Sequence, residues 1–138
     1  MGKNGIAALR ARELYIQGIR PCERAWRTAA AEVFADSPES IVKSCPCGAF
    51  TGLCEAGMVR GIPPAASARA VIRKNASYAI TAAHLLAADP RLADAGPTKL
   101  WRTVMEETGS SPSKRPNGQM DVVLSLWTKG FLAAPEAL

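Results

Sequence analysis

Four cysteines and one histidine are the residues of this chain with the widest chemical repertoire. Cys45, Cys47 and Cys54, with Cys22 or His84 as a fourth ligand, have the composition of a zinc site, but not its spacing. Zinc sites usually present a cysteine pair two to four residues apart on a turn, with every ligand atom about 2.0–2.3 Å from the ion. Here Pro46 is placed to begin a helix, so Cys54 falls about two turns from Cys45, on the order of 13 Å along the axis. A catalytic thiol at Cys45 or Cys47 would gain from that helix N-terminus, which lowers a cysteine pKa. It would also need a base, and His84 is the only histidine. Phosphate-loop and dinucleotide glycine patterns are absent. The expected role of the thiols is therefore capping and packing, with no metal, no cofactor and no catalytic residue.

The remaining chemistry is that of cations. The chain carries a formal charge of +5 over 138 residues, an excess that favours anionic partners such as nucleic acid or an acidic protein surface. Acidic residues interrupt the basic ones throughout, which is also the pattern of a solvated surface. Arg27 and Arg102 each follow a tryptophan and could form a paired anion clamp; the favoured reading leaves each over a neighbouring ring or in water. Lys114 and Arg115 stand on a loop with no aromatic beside them, free to follow a phosphate backbone or simply to keep the loop soluble. Together with Arg24, Asn117 and Gln119 these are the candidate partner-binding residues.

The elements that must position them read as helices. The first runs from about Asn4, a plausible N-cap, to Gln17, with Ile6, Leu9 and Ile16 on one face and Gly18 ending it. The second opens near Pro21 and turns Cys22, Trp26, Ala29, Ala30 and Val33 inward, leaving Glu23, Arg24, Arg27 and Glu32 towards water. A polar loop over 36–44 precedes a third helix that buries Phe50, Leu53 and Cys54 and stops at Gly57. A short extra helix is expected over 66–74. The fourth spans about Asn75 to Ala88, with Tyr78, Ala82 and Leu85 as its apolar stripe. The fifth carries Leu100, Trp101, Val104 and Met105 and ends at Gly109, and the sixth covers about Gln119 to Lys129. No segment reads as a strand.

The order of these signals occurs twice. Asn4, Ala8, Leu9, Ala11 and Leu14 match Asn75, Ala79, Ile80, Ala82 and Leu85 in spacing; Trp26-Arg27-Thr28 matches Trp101-Arg102-Thr103; Leu53, Gly57, Met58 and Val59 match Leu126, Gly130, Phe131 and Leu132. The expected fold is all-α: about six helices, a tandem duplicated three-helix unit (repeat one about 4–64, repeat two about 75–135) packed as one compact domain, with a pseudo-twofold axis between the copies. Two independent domains of that size would be too small. In this register Cys54 pairs with Trp127, Cys47 with Met120 and His84 with Glu13, which again favours packing over chemistry. A helix-turn-helix comparison is weak. Helix three offers a reading face of Ala49, Thr51 and Gly52, and helix six offers Asn117, Gln119, Asp121 and Ser125, in which Asp121 would repel phosphate.

The run Cys45-Pro46-Cys47-Gly48-Ala49-Phe50-Thr51-Gly52-Leu53-Cys54-Glu55-Ala56-Gly57-Met58-Val59-Arg60-Gly61-Ile62 resembles a small bacterial family, a domain of unknown function. Asn75 with Tyr78-Ala79-Ile80, and Gln119-Met120-Asp121-Val122-Val123 with Leu126-Trp127 and Gly130, resemble its later motifs, so the likeness covers nearly the whole chain. It implies a compact helical protein with no established activity. The family pattern carries a lysine where Cys47 stands, which counts against a three-cysteine site.

The expected function is that of a non-enzymatic cytoplasmic binding protein acting on a macromolecular partner, an acidic or nucleic-acid-associated protein, in a regulatory or inhibitory role. A small phage-borne inhibitor of a bacterial defence complex would suit this description. One alternative is a weakly sequence-selective DNA- or RNA-binding protein using Arg24, Arg27, Arg102, Lys114 and Arg115; another is a thiol-dependent enzyme using Cys45 or Cys47. Neither a secretory signal nor a membrane span is expected, and the oligomeric state stays open.

Overall fold

The computed structural model describes residues 2–37, 39, 44–64, 74–111 and 113–133. Six α-helices stand among them: α1 Lys3–Ile16, α2 Cys22–Val33, α3 Ser44–Glu55, α4 Lys74–Ala88, α5 Pro97–Thr108 and α6 Gln119–Thr128, with a 3-10 turn over Pro90–Ala93. The fold is all-α, as expected. No strand occurs among the described residues, only an isolated antiparallel bridge between Val59 and Leu132. None of the helices is long and apolar enough to cross a membrane. The extra helix expected over 66–74 lies outside the described residues, apart from Lys74 at the start of α4.

The second and fifth helices follow from one pattern. In α2 the buried residues are Cys22, Ala25, Trp26, Ala29 and Ala30; in α5 they are Leu100, Trp101, Val104 and Met105. Each is an i, i+1, i+4, i+5 stripe, the period that turns one helical face inward. Thr28 and Thr103 lie half-buried beside it, each donating its hydroxyl to the carbonyl four residues back. The tryptophans anchor different neighbours. Trp26 lies 5.6 Å from Phe50 of α3, while Trp101 meets Tyr78 of α4 edge-on at 5.3 Å.

The first three helices and the last three are interleaved. The helix α1 packs on α2 within its own unit and on α6 of the other, while α4 packs on α5 and on α3. Both cross-unit contacts need very small side chains. A Cβ on Gly5 would fall 1.9 Å from Ser125 Oγ, and one on Gly52 would fall 2.3 Å from the Ala76 Cβ. In the repeat register Gly5 matches Ala76 and Ser125 matches Gly52, so the two crossings are counterparts with the glycine on opposite partners.

The ends of α3 and α6 behave alike. Each passes into a glycine with φ of +76° (Gly57) or +77° (Gly130), a conformation that glycine adopts without a Cβ clash. The following amide closes the turn, Met58 N–H on the Leu53 carbonyl and Phe131 N–H on the Leu126 carbonyl. Beyond the turns the chains pair. Arg60 N–H donates to the Phe131 carbonyl and Ala133 N–H to the Met58 carbonyl, both at 2.8 Å. The two bonds run in opposite directions across the antiparallel bridge between Val59 and Leu132.

Three expectations change. Gly2, not Asn4, is the N-cap of α1, and Asn4 lies inside the first turn. Leu85 and Trp127 are only half-buried. Above all, α1 faces the other way: its core side is Ala7, Ala8, Ala11 and Leu14, while Ile6 and Ile16 face water. The close crossing at Gly5 explains this. A helix wedged between α2 and α6 presents mostly alanines to them, with Leu14 as its one larger core side chain, and the isoleucines are left outside.

Candidate functional site

Ile6 and Ile16 are 45% and 49% exposed, and they are the only large aliphatic or aromatic side chains that exposed among the described residues. They stand on one stripe of α1 with half-buried Leu9 between them, at i, i+3 and i+10. Phe131, just past the glycine that ends α6, and Lys129 form the opposite wall of a shallow groove of about 470 Å³. Exposed aliphatic groups gathered beside charged side chains in a groove make a candidate interaction surface.

The rim is built, and its cations outnumber its carboxylate: Arg10, Arg12 and Lys129 line it together with Glu13, which pairs with Arg10 at 2.6 Å. Arg12 lies over the Phe131 ring, its guanidinium carbon 3.7 Å from the ring centroid, while its Nε donates to the Arg60 carbonyl at 2.6 Å. No carboxylate pairs with Arg12 among the described residues, and its partial burial lowers its pKa. Arg10, at the groove edge, differs. It donates to Glu32 at 2.8 Å and reaches Glu13 as well, so the hydrogen bond with Glu32 raises its pKa and holds the Glu32 carboxyl below its ordinary range. Lys129, like Arg12, has no ion pair among the described residues.

The residues singled out from sequence do not form one patch. Arg24 and Arg27 are exposed on α2, where Arg27 pairs with Glu23 one turn back at 2.9 Å. Arg102 is exposed on α5, and α2 and α5 pack on different neighbours. The paired clamp is therefore not assembled. Lys114 does have an aromatic beside it, contrary to the reading of its loop: its Nζ lies 5.2 Å from the centre of the Tyr78 ring, and its carbonyl accepts the Trp101 indole N–H at 2.9 Å. The loop is pinned to the α4–α5 aromatic pair, with Arg115 and Asn117 exposed on it.

Gln119 is removed from the candidate surface. It is 2% exposed, its amide oxygen accepts from the Asn117 N–H, and its amide nitrogen donates to Asn75 Oδ1 at 3.1 Å. Ser125, Ala49, Thr51 and Gly52 are buried too. The two helices that a helix-turn-helix would place in a groove thus spend those positions on packing against α1 and α4.

The thiols are also accounted for in part. Cys22, first residue of α2, and Cys54, near the end of α3, are both buried. Interaction with the Cys54 thiol holds Cys22 below its usual pKa, and burial pushes Cys54 well above it. Cys47 is half-buried, its carbonyl accepting the Thr51 hydroxyl at 2.9 Å; the Cys45 side chain lies outside the described residues. His84 is exposed on α4. Among the described residues no three His, Cys, Asp or Glu side chains stand together as a metal site would require.

The groove on α1 was missed because two helical stripes compete in its sequence. The alanines and the isoleucines are equally periodic, and side-chain size favours the wrong one. In the register that aligns Gly5 with Ala76, Ser77 and Ala87 stand opposite Ile6 and Ile16, so bulk is not kept at these positions. No curated protein and no solved structure matches this chain. The match that exists runs over residues 1–133, nearly its whole length, and by it the chain belongs to DUF6979, a family of unknown function.

Proposed function

We propose that the chain is a non-enzymatic binding protein, built from two copies of a three-helix unit, that regulates or inhibits a partner protein by docking it on the outer face of α1. The observation that carries this reading is the exposure of Ile6 and Ile16 beside Phe131, Arg12 and Lys129, on a helix whose alanines have taken its core positions. Burying two isoleucines in an interface contributes on the order of 25 cal/mol for each Å² of apolar surface removed from water, an energy unrealised in the free chain. An acidic partner fits the +5 charge.

Direct nucleic-acid binding fits less well. Its best sequence-reading positions, Gln119 and Ser125, are buried, and Arg27 is already paired. The test compares the wild-type chain with an Ile6→Asp/Ile16→Asp variant as immobilised bait in host lysate, with and without nuclease. One stoichiometric protein, recovered despite nuclease and lost with the variant, is the expected result. Retention of generic duplex DNA that weakens steeply with salt, unchanged by the variant, overturns the proposal.

A further inference from the structure

The groove also specifies the chemistry of what it binds. We infer that Arg12 is a preorganised carboxylate clamp, and that the α1 groove takes an acidic amphipathic helix of a partner protein. Its aliphatic side chains would lie on Ile6, Leu9 and Ile16, and a carboxylate would meet the free edge of the guanidinium. This inference rests on the protein-docking reading above.

Three observations carry it. First, Arg12 is held in place without being neutralised. The contact with Phe131 and the bond from Nε to the Arg60 carbonyl hold the guanidinium in place, leaving the terminal nitrogens for a planar, bidentate acceptor. Second, Gly61, whose φ of +91° already favours glycine, packs closely on this corner without a side chain: a Cβ there would sit 3.2 Å from Arg12 Nη2 and 3.1 Å from Ile16 Cδ1 and would push both groups aside. Third, the assembly occurs in one repeat only. Arg12, Ile6, Ile16 and Phe131 match Ala83, Ser77, Ala87 and Met58, so the shared fold does not require it.

The dimensions suit a helix. Ile6 to Ile16 spans roughly 15 Å, about three turns, which accommodates an i, i+3/i+4, i+7 set of anchors about 10.5 Å long in helix-in-groove recognition. Phosphate is a poorer occupant, since an aliphatic floor offers a nucleic-acid backbone nothing and the Phe131 face is already covered by Arg12.

A displayed library of random 14-residue peptides provides the probe, selected separately on the wild-type chain, on Arg12→Lys and on Ile6→Asp/Ile16→Asp, each shown folded by circular dichroism. Peptides enriched on the wild-type chain should carry Asp or Glu beside aliphatics at helical spacing. In fluorescence anisotropy they should bind at least tenfold more weakly to Arg12→Lys, and equally so when their acidic residues become Gln or Asn. Enriched peptides without acidic excess, or affinity unchanged by Arg12→Lys, overturn the clamp while leaving the docking face standing. Equal enrichment on the Ile6→Asp/Ile16→Asp variant overturns the docking face itself, and no enrichment on any bait overturns both.

Discussion

Two buried thiols show how burial and a neighbour divide a proton between like groups. The neighbouring Cys54 thiol lowers the pKa of Cys22 and burial raises that of Cys54, so the pair keeps one proton at a pH where a free cysteine, with a pKa of about 8.5, has begun to lose its own. A cysteine whose folded pKa is raised stabilises the native state fully below the unfolded value, and that contribution is lost as pH rises through the folded value. Thermal melts in reductant should therefore show the chain weakening from about pH 8.5 upward, by at most about 1.4 kcal/mol per pH unit. Cys54→Ser keeps a hydroxyl beside Cys22 but does not titrate there, and should flatten that slope whatever it does to stability at neutral pH. Parallel slopes for the two proteins would show that the pair does not hold its proton. None of this was legible from cysteine spacing, because Cys22 and Cys54 are brought together by the packing of α2 on α3.

At the scale of elements, the two cross-unit helix contacts can be exchanged for one another. Gly5→Ala alone forces a Cβ into Ser125 and should cost about 1–3 kcal/mol in a urea melt. Adding Ser125→Gly recreates the arrangement in which Gly52 receives Ala76. The double variant should then be more stable than the sum of the single effects by about 1 kcal/mol or more, a coupling that a double-mutant cycle reads directly. Additive losses would mean that the crossings are not equivalent. A second contact tests the pinned loop: Trp101→Phe removes the indole N–H held by the Lys114 carbonyl and should cost about 1 kcal/mol, with faster amide exchange over 113–117. The helices themselves were legible, since Trp26 and Trp101 stand on apolar stripes of the same period and Gly57 and Gly130 close the chains behind them. Which face of α1 points inward was not, because that depends on how closely α6 approaches, a property of two segments more than a hundred residues apart in sequence.

Across the whole molecule the question is what the near-symmetry leaves unexplained. Reciprocal hydrogen bonds at Val59 and Leu132, matched glycine turns and matched tryptophan helices all serve the core, and each has a counterpart. The groove on α1 has none, and of the residues first proposed as partner contacts only Arg24, Arg27, Arg102, Lys114, Arg115 and Asn117 remain at the surface, scattered over α2, α5 and the pinned loop. The groove is formed by positions that the fold is free to vary. Giving α1 the residues of its counterpart, Ile6→Ser with Ile16→Ala, tests this separation. Neither substitution touches the core, and both residues suit a helix at least as well as isoleucine does. Denaturant unfolding should therefore move by no more than about 0.5 kcal/mol, while capture of the protein partner falls at least tenfold. A large loss of stability would instead make the isoleucines structural, and the function would have to be sought on another surface.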